Sequence, residues 1–200
     1  MILVAATGNA GKLRELRALL ADPAIALRTL ADWPDFTPPP EDGDTFLANA
    51  RIKAHAVALR TGLPALADDS GLAVDALGGL PGVRSARFAE DAAAGRGDAA
   101  NVALLLARLR EVPAERRTAR FHCAVVVARP DGRELVTEGT CEGIIAAAPR
   151  GRGGFGYDPV FLYGDRTFAE IDAEEKDRVS HRARAIAALR PRLGAFLSAA

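Results

Sequence analysis

Ile2-Leu3-Val4-Ala5-Ala6-Thr7-Gly8-Asn9-Ala10-Gly11-Lys12 is an apolar run that breaks into a glycine-containing loop, after which Leu13, Leu16, Leu19 and Leu20 recur at helical spacing. Strand, loop and helix in that order open an α/β protein. Unpaired backbone N–H groups and the positive helix end at such a junction attract phosphate oxygens, and Lys12 adds a point charge. The segment is not a Walker A loop, because the first glycine of that pattern would fall at Ala6 and Lys12 is followed by Leu13 rather than Ser or Thr. It can equally be read as an ordinary turn that uses Gly8 and Gly11 for positive φ.

Outward from this unit, residues 24–30 read as a second strand, and Pro34, Pro38, Pro39 and Pro40 then forbid regular structure up to Glu41-Asp42-Gly43. Asp44 or Thr45 caps a helix that runs to about Arg60, with Phe46, Ala50, Ala54 and Val57 on its buried side. Asn49 and Lys53, four residues apart, share another face. Residues 65–67 read as a strand that delivers Asp68 and Asp69 to a Ser70-Gly71 turn. Because successive strand side chains point to opposite sides, one acid enters a cleft while the other anchors the turn, and Asp69 is the expected cleft residue. Residues 77–83 read as an ordered Gly/Pro-rich loop and 98–110 as a helix. Residues 117–128 and 133–145 are strands joined through Pro130-Asp131-Gly132, a hairpin signal. A second Gly-rich loop (151–157), a short strand (160–162), an acidic stretch (170–177) and a helix from Ser180 to about Arg190 follow. Strands alternating with helices and a later hairpin predict an α/β protein with a mixed sheet.

Two hundred residues, 49% hydrophobic, suffice for one full core or two closely packed lobes, and no linker divides them. The 26 basic and 26 acidic residues cancel, which removes any global field for nucleic acid or an anionic membrane, so a phosphate ligand must be met locally. Cys123 and Cys141 read as reduced core thiols. The start has no basic leader and no stretch could span a bilayer, so the expectation is a soluble cytoplasmic protein.

Three constellations carry chemistry. The first is the loop before Lys12. In the second, Glu41 precedes a helix that bears Asn49 and Lys53; a cleft joining Glu41 to Asp69 supplies two hard oxygen ligands for Mg²⁺ and turns Lys53 to the phosphates. The third is Gly153-Gly154-Phe155-Gly156-Tyr157-Asp158-Pro159, where a loop-borne Phe155 can stack on a flat ring or plug the space under its loop, and Tyr157 can be structural. Lys176 and the helix start Ser180-His181-Arg182 join this list, since cations near a helix N-terminus oppose the macrodipole. His55 and His122 read as ordinary parts of a helix and a strand.

In this order the blocks resemble the inosine/xanthosine triphosphate pyrophosphatases, which hydrolyse deaminated purine nucleoside triphosphates to the monophosphate and pyrophosphate. The carriers are Thr7 through Lys12, Phe46-Leu-Ala-Asn49-Ala50-Arg-Ile-Lys53-Ala54, Asp68 through Leu72, Pro81-Gly82-Val83-Arg84-Ser85-Ala86-Arg87, Gly154 through Pro159, and Ser180-His181-Arg182. The resemblance covers nearly the whole chain. It implies one ITPase-like domain over residues 1–200, an elongated twisted mixed β-sheet with two α/β lobes flanking a central cleft, assembled as a homodimer. In its terms Thr7, Gly8, Asn9, Ala10, Gly11, Lys12 and Lys53 look like triphosphate binders. Glu41 and Asp69 look like Mg²⁺ ligands, with Asp69 also the catalytic base. Ser70, Phe155, Gly156, Tyr157, Asp158, Lys176, His181 and Arg182 look like substrate contacts, mainly to the base. His181 and Arg182 would donate to the C6 oxygen of the purine. Arg84 departs from the pattern, where relatives often carry an aromatic or aliphatic residue.

Two rivals stand beside this reading. A Maf-type pyrophosphatase acting on pyrimidine or modified nucleotides is opposed by Ser180-His181-Arg182 and residues 154–158. A non-catalytic purine nucleotide sensor has no need of an acid pair such as Glu41 and Asp69.

Overall fold

Strand and helix alternate from the first residues on, as the opening stretch demands. The computed structural model describes residues 1–199. The order is β1 (Ile2–Ala5), α1 (Ala10–Leu19), β2 (Ala26–Thr29), α2 (Phe46–Thr61), β3 (Ala65–Val74), α3 (Phe88–Asp91), α4 (Asp98–Arg108), β4 (Thr118–Ala128), β5 (Glu134–Ile145), β6 (Phe161–Tyr163), β7 (Arg166–Thr167), α5 (Ala173–Val179) and α6 (His181–Ser198). One mixed sheet joins the strands in the order β2-β1-β3-β4-β5-β6-β7. β1 is parallel to β2 and β3, while β6 is antiparallel to β5 and β7.

The chain divides into two compact units. The first combines Met1–Asp69, Cys123–Gly139 and the chain from Arg182 on; the second combines Ser70–His122 and Thr140–His181. In the first unit the period-two alternation of the strands builds two cores. Leu3, Leu66, Cys123, Val125 and Val127 face one way, against Leu16 of α1 and Ala185, Ile186, Leu189 and Leu193 of α6. Val4, Ala65, Ala67, Ala124, Val126 and Ala128 face the other, against Ala50, Ala54, Val57 and Ala58 of α2. A sheet covered on both sides explains why these strands read as nearly continuous apolar runs. The second unit has its own core, in which Leu72, Phe88, Leu105, Phe121, Tyr157 and Phe161 are all buried.

Four expectations are corrected. The predicted turn at Ser70-Gly71 does not exist, because β3 runs unbroken from Ala65 to Val74. The strand lies between β1, which pairs with its first residues Ala65 and Leu66, and β4, and its place in the sheet outweighs the turn preference of Asp, Ser and Gly. The acidic stretch at 170–177 leads into helix α5, whose first backbone groups are capped by Asp172. The last helix does not stop at Arg190 but passes Pro191 to Ser198, held down by Leu189 and Leu193 in the first core. The short β7 was not foreseen. Thr45 is the cap of α2, its hydroxyl accepting from Ala48 N at 3.0 Å.

Candidate functional site

In the first unit the twin acids of β3 point to opposite faces of the sheet, as the strand period requires. Asp68 lies on the face of α1 and α6. Its Oδ2 accepts from Arg182 Nη2 at 2.8 Å and pairs with Lys12 Nζ at 3.0 Å, while Arg182 Nη1 reaches Glu15 of α1. Burial alone would push the Asp68 carboxyl up; the charges of Arg182, Lys12 and Lys53 outweigh it and hold the group well below the usual carboxylate range. Cys123 Sγ sits 3.9 Å from the same oxygen.

Asp69 lies on the face of α2. Lys53 Nζ donates to Asp69 Oδ1 at 3.1 Å and to Glu41 Oε2 at 2.8 Å, so one ammonium joins the two acids. Asn49 Nδ2 donates to Asp69 Oδ2 at 3.3 Å. Burial raises the Asp69 carboxyl above its ordinary value against the lowering effect of Lys53 and Lys12, and the nearby Glu41 charge adds to the rise. For Glu41 burial raises too, yet the bond and charge of Lys53 prevail and the group is lowered. Lys53 is itself raised, its burial overcome by Asp69 and Glu41. The outcome is two carboxylates of unequal basicity around one buried cation.

The loop before α1 is ordered by its own side chains. Thr7 Oγ1 accepts from Asn9 N at 3.2 Å, and Asn9 Oδ1 caps α1 by accepting from Lys12 N at 3.0 Å. Ala10, Gly11 and Lys12 form the first helical turn rather than loop. Gly8 is outside the left-handed region, and a Cβ built on it would meet nothing within 4 Å. Neither conformation nor packing therefore requires glycine there.

The second unit holds Ser70, Phe155, Gly156, Tyr157, Asp158, Lys176 and His181. Asp158 Oδ2 accepts from Phe155 N at 2.9 Å and from Lys176 Nζ, whose ammonium lies 4.9 Å from the Phe155 ring centre. Gly154, at φ +71°, makes this possible, since a Cβ there would fall 2.0 Å from Asp158 Oδ2. Asp98 at the start of α4 accepts from Gly156 N at 2.7 Å. Tyr157 is buried and its hydroxyl donates to Ser85 O at 2.9 Å, which favours the structural side of its sequence reading. His181 stacks on Phe121 with ring centres 4.6 Å apart. Arg84 pairs with Asp91 at 2.9 Å.

The structure thus brings Glu41, Lys53 and Asp69 together, and separately Phe155, Asp158 and Lys176. Arg182, expected to donate to a purine base, has its guanidinium on Asp68 and Glu15 with 1% of the residue exposed. Sequence reasoning gave no part to Glu15 or Asp98. Their signals, an acid three residues after Lys12 and an acid at a helix start, are too common to stand out.

The sequence matches the Ham1 family over residues 3–192. The chain is 54% identical to the dITP/XTP pyrophosphatase of Geobacillus kaustophilus, a match covering 94% of this chain and 91% of that protein. It is 52% identical to the dITP/XTP pyrophosphatase of Thermus thermophilus over 94% of this chain and 90% of the other. Among solved structures, a HAM1 protein from Coxiella burnetii superposes with a TM-score of 0.86 at 39% identity, covering 98% of this chain and 99% of its own. The chain belongs to the Ham1 family.

Proposed function

We propose that this protein is a nucleoside triphosphate pyrophosphatase that hydrolyses the deaminated purine nucleotides ITP, dITP and XTP to the monophosphate and pyrophosphate, clearing them from the nucleotide pool. The observation that carries the reading is the ammonium of Lys53 held at 2.8 Å from Glu41 and 3.1 Å from Asp69. Relatives 54% and 52% identical over most of the chain carry the name dITP/XTP pyrophosphatase.

Phosphoryl chemistry needs charge neutralisation and a placed nucleophile more than covalent help. Lys12 and Lys53 meet the negative oxygens of the triphosphate, and the N–H groups of Gly8, Ala10 and Gly11 bind phosphate at the start of α1, those of Asn9 and Lys12 being held by Thr7 and Asn9. The space around Gly8 supports this, because the glycine there leaves room for a ligand to approach the backbone. Asp69, made more basic by burial, accepts a proton from the water that attacks the α-phosphorus in line, and pyrophosphate leaves. Glu41 and Asp69 are hard oxygen donors, and two carboxylates that already share the Lys53 ammonium are a donor set of the kind an Mg²⁺ ion would use. Bound there, Mg²⁺ would neutralise phosphate charge and lower the pKa of water. Ser70, Phe155, Gly156, Asp158, Lys176 and His181 contact the substrate, Phe155 stacking on the base. Tyr157 serves by holding that loop, and Arg182 by holding Asp68.

We place the protein in the cytoplasm, as a homodimer, and read residues 1–200 as one ITPase-like domain. Buried free thiols at Cys123 and Cys141 support a reducing compartment, and among the described residues no helix is long and apolar enough to cross a membrane. Light scattering at micromolar concentration checks the dimer, and the mass of one chain would rule it out.

Product analysis with ITP, dITP and XTP in the presence of Mg²⁺ tests the activity, with the monophosphate and pyrophosphate expected. IDP and orthophosphate as first products from ITP would refute α–β cleavage, and preference for UTP or dTTP would point to the Maf-type rival.

A further inference from the structure

We infer that Asn49 is a positioning residue that ties the loop bearing Glu41 to Asp69 and so sets the spacing of the two carboxylates. The inference rests on the roles proposed above for those acids. Residues 34–45 contain no helix or strand, so although Pro38, Pro39 and Pro40 stiffen the approach, no helix or strand fixes where Glu41 sits. Lys53 contacts Glu41, but through a flexible four-carbon stem. Asn49 supplies a shorter link. Its Oδ1 accepts from Gly43 N at 2.8 Å and its Nδ2 donates to Asp69 Oδ2 at 3.3 Å. A backbone N–H can only donate and an ionised carboxylate only accept, so the two partners fix the amide in one orientation. The residue is 1% exposed, which removes competing water.

A second observation shows that the loop end is pressed onto the helix at this point. A Cβ on Gly43 would come within 2.8 Å of Ala48 Cβ and 2.9 Å of Asn49 Oδ1, so only glycine permits the approach. Asn49 and Lys53 stand one turn apart on α2, and between them they bind Asp69 twice and the Glu41 loop twice. An aspartate at position 49 could keep the first link, accepting from Gly43, but has no proton to give Asp69. Alanine keeps neither.

The test uses the full-length protein carrying Asn49→Ala or Asn49→Asp, with three readouts: ITP kinetics at saturating Mg²⁺, thermal melting, and amide hydrogen exchange at Gly43 followed by NMR. Displacement of a reacting group by a fraction of an ångström to 1 Å predicts that kcat falls about 10- to 100-fold in both variants while KM changes little. Gly43 exchange should accelerate in Asn49→Ala and stay slow in Asn49→Asp. That split separates the two hydrogen bonds and is not what general loosening produces. Wild-type kcat in either variant overturns the inference. So does unaltered Gly43 exchange in Asn49→Ala, or a loss of rate no larger than the unfolded fraction at the assay temperature. Should the wild-type protein release no pyrophosphate, the functional reading fails, and Gly43 exchange in the two variants alone decides whether Asn49 anchors the loop.

Discussion

Asp68 and Asp69 are neighbours in sequence, yet the two faces of β3 on which they lie treat a carboxylate in opposite ways. On the face of α1 and α6, Asp68 meets Arg182 and Lys12 and is held strongly in its charged form. On the face of α2, Asp69 shares one lysine with Glu41, and burial wins. Both are buried, so depth alone does not decide basicity; the ratio of cations to anions within reach does. One face fixes a charge to join helices, and the other keeps a carboxylate ready to take a proton.

The largest effect that can break this contrast is on turnover. Asp69→Asn should lower kcat by about 10²-fold or more, the scale of a lost base or charge-stabilising group. Because its ionised form is disfavoured by burial, removing the charge should leave the melting temperature at or above that of the wild type. Steady-state kinetics with a melting curve on the same sample checks both, and wild-type turnover would move the chemistry to another residue.

Asp68→Asn should do the reverse in kind. Removing one partner of a buried ion pair leaves Arg182 with an uncompensated share of its charge, which costs about 3 kcal/mol or more. For a chain of this size that lowers the melting temperature by roughly 10 °C. A melting temperature within about 2 °C of the wild type would show that Arg182 does not depend on Asp68.

The twin acids also show how much was legible beforehand. The period of two placed Asp69 and Asp68 on opposite sides, and helical spacing set Asn49 and Lys53 on one stripe that meets Asp69. That Glu41 joins Lys53 and Asp69 did not follow from such short-range patterns, because Glu41 lies in an irregular loop; its part came from the resemblance. Nor did the length of β3, because Asp-Asp-Ser-Gly has turn chemistry and the charge that lets Asp68 stay buried arrives from Arg182, 114 residues away. The protein partners of Arg182 were hidden for the same reason: a helix-start arginine gives no sign that it reaches Asp68 and Glu15. Helix α5 hid in acidic composition, and α6 outran Pro191 because tertiary packing overrode the local break.

A smaller effect concerns acid. A group lowered in the folded state contributes stability that is present above its unfolded pKa and is lost as pH falls, so Asp68 should steepen the loss of stability below about pH 4. The limiting slope from one such proton is about 1.4 kcal/mol per pH unit. Asp69 has the opposite sign: its raised value favours the folded state at low pH, and that contribution fades as pH rises through the raised pKa. Urea titrations at pH 5, 4 and 3 should therefore give a shallower acid decline for Asp68→Asn than for the wild type. They should give a steeper one for Asp69→Asn, and parallel lines for all three proteins would remove both assignments.

The smallest expected effect is an absence of reaction, and it probes how closed the Asp68 face is. Cys123 belongs to the core between the sheet and α1 and α6, with its sulfur 3.9 Å from Asp68 Oδ2. Burial first and the Asp68 charge second push its thiol up to about 12. At pH 8 the thiolate, which is the reacting form, is then a very small fraction, and the sulfur is also out of reach of reagent. Cys141 is buried too, in the second unit. Native protein mixed with an aromatic disulfide reagent at pH 8 should show no fast phase, and both thiols should label in denaturant. In Asp68→Asn the slow labelling of Cys123 should accelerate, because a less stable first unit opens more often. Prompt labelling of Cys123 in the wild type, with the far-ultraviolet circular dichroism intact, would mean that this face admits solvent. The comparison of the two acids would then have to be drawn from their partners and not from burial.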